Sequence, residues 1–198
     1  MYDWRRMTDA QRAEAMRLRM RRGGSWRRPP VWKNEGEERF LITAACFEHA
    51  SYIGWSPTRM SAFEDALLGT LEENCGEIFA YAVLPNHYHA LVRCAHVLSL
   101  RSALGKLHGR WSRSWNVEDN TPGRKVFHGS AETRQKSDAH FQASMNYVHH
   151  NPVRHGYVRR WQEWPWSSAA AYLQEVGEEE AKHLWHSYPI DRYGDGWD

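Results

Sequence analysis

The chain has 198 residues, 41% of them hydrophobic and 25% charged, with a net charge of +2, which fits one well-packed soluble globular domain with appendages. No apolar run approaches the ~20 residues that span a bilayer, and the arginine-rich start lacks the apolar core of a signal peptide; a cytoplasmic protein with no membrane partner is expected. Cys46, Cys75 and Cys94 are odd in number and widely spaced, which argues against a disulfide framework or a zinc ribbon and for reduced thiols.

The small net charge conceals an asymmetry. Residues 1–33 carry ten Lys or Arg against three acids, whereas residues 174–198 carry two against seven, and a basic head points to a polyanionic partner. Within it, residues 8–22 read as a helix capped by Thr8 and stopped by Gly23-Gly24. Its arginines either neutralise phosphates or are solvated on a helix that covers the sheet through Met16 and Met20. Residues 25–32 interleave Trp26 with Arg27 and Arg28 among prolines. Such rings and guanidinium groups stack on single strands, and they also serve as clasps over a sheet edge.

The continuous apolar run 39–47 predicts a central strand. Ser56 caps a helix with Pro57 at its first position, and Met60, Phe63, Leu67, Leu68 and Leu71 carry it to about Asn74. Residues 77–84 and 87–93 are two apolar runs around a Pro85-Asn86 break, the pattern of a hairpin. Residues 99–115 return to helical spacing, with Leu100, Leu104, Leu107 and Trp111 on one side and Arg101, Lys106, Arg110 and Arg113 outward. That basic face is either a nucleic-acid groove, with His108, Trp111 and Trp115 adding stacking surface, or a solvated side.

Residues 116–123 form a turn-rich loop, 124–128 a short strand, and the stretch to Lys136 carries no assignable pattern. Ser137 caps a further helix that bears Tyr147 and that Pro152 ends. Short helices follow over 169–173 and 178–185. The tail 188–198 is aromatic, acidic and irregular; it could anchor to the domain or cover a nucleic-acid groove.

His87 and His89 open the second hairpin strand, and at i, i+2 they point the same way, roughly 6.7 Å apart along the backbone. Tyr147 and Asn151, at i, i+4, share a helix face. If the two elements meet, two imidazoles and an amide oxygen make an incomplete shell with room for phosphate oxygens on a divalent cation such as Mg²⁺ or Mn²⁺. A phenol beside such an ion is a candidate nucleophile, because the ion favours phenolate over a phenol whose ordinary pKa is ~10. Each element has a plainer reading: a sheet-face histidine pair, a core tyrosine, a helix-stop proline. A structural zinc site is disfavoured, since no cysteine or further histidine is placed to close a tetrahedral shell.

The order strand, helix, strand, strand, helix, strand, helix matches an α+β fold with a split βαβ arrangement, an antiparallel sheet with helices on one face.

Val83-Leu84-Pro85-Asn86-His87-Tyr88-His89 resembles the His-hydrophobe-His (HUH) signature of single-tyrosine DNA transposases. Tyr147-Val148-His149-His150-Asn151-Pro152-Val153-Arg154-His155-Gly156, followed by Trp164-Pro165-Trp166-Ser167-Ser168, resembles the motif of the REP-associated tyrosine transposases. The similarity runs over residues 40–172, with both motifs in the family's order. It implies a ferredoxin-like core of HUH-endonuclease type, and a division into a basic N-terminal extension (1–38), a catalytic domain (39–158) and a C-terminal extension packing on it (159–198).

The resemblance further implies a metal-dependent single-stranded DNA endonuclease or strand transferase acting near hairpins through a 5′-phosphotyrosine intermediate. Tyr147 would be the nucleophile and His87, His89 and Asn151 the metal ligands. His150 is a candidate auxiliary, and Trp26, Arg27, Arg28, Arg101, Lys106, Arg110 and Arg113 are candidate DNA contacts. The implied partner is hairpin or single-stranded DNA, bound by a monomer or a homodimer. The chain departs from the family's text before the first strand and over 127–134. The alternative is a non-cleaving nucleic-acid-binding module, a repressor or RNA-binding protein, that retains the fold.

Overall fold

Alternate side chains of the strands enter two different buried clusters, one on each face of the sheet. In the computed structural model, which describes residues 8–11, 13, 14, 17, 38–190 and 193, β1 (Glu38–Ala45), β2 (Glu77–Val83), β3 (His87–Cys94) and β4 (Ala131–Arg134) form one sheet in the order β2-β3-β1-β4. Every neighbouring pair is antiparallel. The pair β1 and β2 is therefore split by β3, and the pair β3 and β4 is split by β1: the ferredoxin-like split βαβ topology expected from the order of elements.

Two crossover helices, α1 (Pro57–Asn74) and α2 (Val97–Glu118), cover one face of the sheet. Phe40, Ile42 and Ala44 of β1 and Tyr88, Ala90 and Val92 of β3 pack there against Met60, Phe63 and Leu67 of α1 and Leu100, Leu104 and Leu107 of α2. The alternate residues face the other way. Leu41, Phe79 and Leu91 meet Phe141, Met145, Tyr147 and Val148 of α3 (Asp138–Arg154), with Tyr172 of α4 (Ala169–Val176) and Ala181 of α5 (Glu178–Ser187) behind them. Helices thus lie on both faces, which corrects the one-face expectation. The two crossover helices share a face because both connections turn the same way, and α3, which follows the last strand, closes the opposite side.

The predicted caps are present. Ser56 Oγ accepts from Arg59 N at 3.1 Å and Ser137 Oγ from His140 N at 3.1 Å, each satisfying a donor that a helix start leaves open. Thr8 caps the amino-terminal helix, its Oγ1 accepting from Gln11 N at 3.2 Å while Gln11 Oε1 accepts from Thr8 N at 2.8 Å. Trp26, Arg27, Arg28, Met16 and Met20 lie outside the described residues, as does most of the carboxy-terminal tail.

Four further expectations are corrected. Residues 124–128 make only isolated strand-like contacts, Phe47 N to Val126 O at 2.8 Å and His128 N to Ala45 O at 2.9 Å; the fourth strand lies in the stretch left unassigned. The helix expected over 99–115 extends to Val97–Glu118. His108 and Trp115 are buried in the α1/α2 core, where His108 stacks on Phe127 with centroids 4.4 Å apart, so these two rings supply no stacking surface; burial pushes the His108 imidazole down to about 4. Finally, α3 runs through Pro152 to Arg154 and ends before Gly156, whose φ is +67°. A proline in the last turn removes only one ladder bond.

The outer edge of β2 is covered by the segment carrying Trp164 and Trp166. Trp166 O accepts from Val83 N at 2.8 Å, Tyr81 O accepts from Ser168 N at 3.0 Å, and Trp164 Nε1 donates to Val83 O at 2.9 Å. An edge that would otherwise offer open backbone groups is thereby closed.

A buried ion cluster ties α1 to the end of α2. Arg59 donates to Asp119 at 2.6 and 3.2 Å, and Arg124 donates to the same carboxylate at 2.7 Å. The Arg59 hydrogen bond holds the Asp119 carboxyl below the usual range against the opposing effect of burial, with Arg124 adding to it. Replacing Asp119 with Ala leaves the Arg59 head group, whose side chain is 3% exposed, with the half-exposed Glu118 carboxylate beside it. We expect D119A to cost about 3 kcal/mol in urea unfolding; a loss within experimental error of zero would contradict the assignment.

Candidate active site

The turn before β3 fixes the first histidine. Cys46 N donates to Asn86 O at 2.7 Å and Gly54 N to Pro85 O at 2.8 Å, so the segment after β1 clasps the hairpin turn. A Cβ on Gly54 would sit 2.3 Å from Pro85 Cβ, and only glycine permits that approach. Asn86 Nδ2 donates to His49 O at 3.1 Å, which points Asn86 Oδ1 at His87 Nδ1, 2.8 Å away. An amide oxygen only accepts, so His87 carries its proton on Nδ1 and presents the lone pair of Nε2.

That lone pair faces Asn151 Oδ1 at 2.9 Å, while Asn151 Nδ2 is buried with no hydrogen-bond partner among the described residues. Two acceptors facing each other at this distance, beside an orphaned donor, are what a shared cation would reconcile; without one, a half-turn of the amide lets Nδ2 donate to Nε2. His89 is also held through Nδ1, here by a hydroxyl, which donates as well as accepts. Its Nδ1 lies 2.9 Å from Oγ1 of Thr43, its register partner on β1, and its Nε2 lies 3.3 Å from the Tyr147 hydroxyl. Both rings are thus oriented through Nδ1 with Nε2 turned toward α3, as metal-binding histidines usually are. Their centroids are 5.0 Å apart. The donor set, two imidazole nitrogens and an amide oxygen, fits a divalent cation that keeps open positions. Among the described residues no group of three or more His, Cys, Asp or Glu is gathered as a metal site.

Helical spacing brings the remaining groups. Tyr147, Asn151 and His155 are four residues apart along α3 and its C-cap, and so share one helix face. Tyr147 is fully buried; its ring packs on Tyr193 at 5.5 Å and has the Arg154 guanidinium 5.9 Å from its centroid. Arg154 in turn donates to Tyr193 O at 2.8 Å, and the Tyr193 hydroxyl bonds Ser144 Oγ. The half-buried His155 lies edge-on to His87 with centroids 4.9 Å apart.

The structure brings together His87, His89, Tyr147 and Asn151. It does not bring His150 to them. That ring stacks on Trp185 at 3.5 Å and Trp161 at 5.4 Å, and donates from Nδ1 to Asn146 O at 3.2 Å; burial pushes it down to about 4 against that hydrogen bond. His149 is structural: its Nε2 meets Ser168 Oγ at 2.9 Å, and burial, with His150 beside it, pushes it down to about 3. Arg101, Lys106, Arg110 and Arg113 are exposed on α2, in the helix layer on the opposite side of the sheet from the histidines.

Sequence reasoning missed four participants. In sequence Asn86 is a turn residue and Thr43 part of an apolar run; only the folded contacts show that each orients a histidine. His155 could have been found by extending the Tyr147, Asn151 stripe one turn. Tyr193 gave no signal, because its contact is purely tertiary.

With Asn86 replaced by Ala, His87 loses the acceptor that fixes its tautomer. We expect N86A to weaken Mn²⁺ binding, read by calorimetry, by roughly 10- to 100-fold. Unchanged affinity would remove Asn86 from this role.

No family model and no curated protein matches the sequence. The fold is similar to a solved structure of a REP-associated tyrosine transposase bound to a REP hairpin, with a TM-score of 0.54 and 19% identity, over 85% of this chain and 93% of that one. The likeness to these transposases first read from two short motifs therefore extends to the fold of most of the chain.

Proposed function

We propose that the protein is a metal-dependent single-stranded DNA strand transferase that cleaves near hairpins through Tyr147. One observation carries the reading: the hydroxyl of Tyr147 meets Nε2 of His89 at 3.3 Å, on the face where Nε2 of His87 meets Asn151. The likeness in fold to a structure that holds a REP hairpin supports hairpin DNA as the partner.

His87 Nε2, His89 Nε2 and Asn151 Oδ1 would hold the cation, Mg²⁺ or Mn²⁺. When bound, it would draw charge from a phosphodiester and favour the phenolate of a nearby tyrosine. Tyr147 Oη then attacks phosphorus in line, forming a 5′-phosphotyrosine bond as the bond to the 3′-oxygen breaks. The phenol gives up its proton and the departing 3′-oxygen takes one up. One phosphate ester replaces another, so the bond remains available for rejoining to a second strand. Asn86 and Thr43 keep the imidazoles oriented throughout. Because Tyr147 is fully buried, Tyr193 and Arg154 must move aside before a phosphate can reach it. Arg101, Lys106, Arg110 and Arg113 would bind DNA lying across the α2 side of the sheet, separate from the strand being cut.

The burial of Tyr147 also favours a second reading, a non-cleaving nucleic-acid-binding module that retains the fold. Both readings give binding that weakens as salt rises, so covalent trapping must separate them. With a labelled single-stranded hairpin substrate and Mn²⁺, the strand transferase forms a denaturant-resistant adduct that Tyr147→Phe abolishes and chelation prevents. No adduct across a range of hairpins, with binding intact, would establish the module instead.

A further inference from the structure

A nucleic acid that touches both the basic face of α2 and the site on α3 has to turn around the sheet, and the borders of the sheet differ in what they offer it. The β2 edge is closed by the segment carrying Trp164 and Trp166. At the β4 edge Arg134 is paired with Glu38 at 2.7 Å, and Arg101 lies 3.9 Å from Glu132. At the end where β3 finishes, Arg39 is paired with Asp138 at 2.7 Å and Arg93 with Glu77 at 2.6 Å. A cation already matched to a carboxylate has to give that contact up to bind a phosphate.

The remaining border, the end that holds the Pro85-Asn86 turn, is built differently. β1 finishes there with Ala45 paired to His87, and on the other side Ala45 O accepts from His128 N at 2.9 Å. The backbones of His128 and His87 are thus two strand spacings apart, roughly 10 Å. Phe127 is paired with Cys46 and enters the α1/α2 core, so by alternation the next residue, His128, turns to the side of the sheet that carries His87. His128 is exposed, and its ring is backed by Phe47 at 5.0 Å. The exposed Lys125 holds its ammonium 4.5 Å over the same Phe47 ring. This patch adjoins both helix layers. α2 ends beside it, where Asn116 Nδ2 donates to Arg124 O at 2.8 Å, and α3 ends beside His87, where the His155 ring meets it edge-on.

We infer that the strand Tyr147 acts on enters around this end of the sheet, with one unpaired base stacked on His128 and a phosphate on Lys125. The inference rests on the proposed function for the identity of that strand. An exposed ring stacks on the free face of a base, which a duplex hides and a single strand offers. The ammonium beside the ring takes a phosphate of the same strand. Glu48, exposed in the adjoining turn, opposes that phosphate, so stacking rather than net charge must select the strand. The hairpin stem and the strand being cut would then be held on opposite faces of one sheet and joined over its end.

Anisotropy titration of the full chain in EDTA tests it, with labelled hairpins that are blunt, that carry a short single-stranded extension, or whose extension is abasic with the same phosphates. The nucleotide extension should tighten binding about tenfold over the abasic one, and His128→Ala should remove most of that gain. Lys125→Ala should weaken binding of both extended hairpins, lower their salt slope by about 0.7 and leave the blunt hairpin unchanged. Glu48→Gln should tighten binding of both extended hairpins, a gain that no misfolded protein would show. Lys136→Ala removes an exposed cation at the opposite end of the sheet and should change none of these affinities. A nucleotide extension no better than the abasic one overturns the proposal, as does a gain that His128→Ala leaves intact or a Lys125→Ala loss that Lys136→Ala matches. Because chelation blocks cleavage, these outcomes do not depend on Tyr147 chemistry. Adduct formation in Mn²⁺ alongside any of the overturning results would sink this inference alone; an extension gain that needs His128, without any adduct, would sink the strand-transferase reading alone.

Discussion

The pleat of β3, and what it does to two imidazoles, is the constraint on which the rest depends. Successive strand residues alternate faces, so His87 and His89 share the side that α3 covers while Tyr88 between them enters the opposite core. Each ring is then held by its Nδ1, through Asn86 in one case and Thr43 in the other. With those bonds made, neither Nε2 has a choice of direction. Both Nε2 atoms are delivered to the same side of the sheet by bonds that belong to the fold itself, before any ligand arrives.

The other half of the site comes from a different periodicity. A helix repeats its face every three to four residues, and α3 uses that repeat to aim Tyr147 and Asn151 at the strand pair while Asn146 and His150 face α5 and the tryptophans. One helix thus serves two surfaces, a buried polar site against the sheet and an aromatic contact with α4 and α5. The basic residues of α2 sit in neither. Their layer is on the other side of the sheet, so a bound nucleic acid that touched both would have to pass around an edge of the domain.

Much of this was legible in the residues. The hairpin, the Ser56 and Ser137 caps, the shared face of His87 and His89 and the shared face of Tyr147 and Asn151 all follow from local pattern, because each depends on spacing along a single element. What was not legible depends on pairing between distant segments. Ala131–Arg134 carries no apolar alternation and is half-exposed on an edge, so only its pairing with β1 makes it a strand. Val126 and Phe127 look like a strand because they are apolar, yet they are buried as a loop that plugs the core beside Trp115. The orienting roles of Thr43 and Asn86 and the packing of Tyr193 on Tyr147 are tertiary facts with no trace in a one-dimensional pattern.

The claim that carries the account is that three atoms, Nε2 of His87, Nε2 of His89 and Oδ1 of Asn151, converge on one cation. Anomalous diffraction from crystals grown with Mn²⁺ reads this directly. A single peak at about 2.1 Å from all three atoms, next to the Tyr147 hydroxyl, is the predicted result. Manganese bound elsewhere at saturating concentration, with His87 still hydrogen-bonded to Asn151, would contradict it.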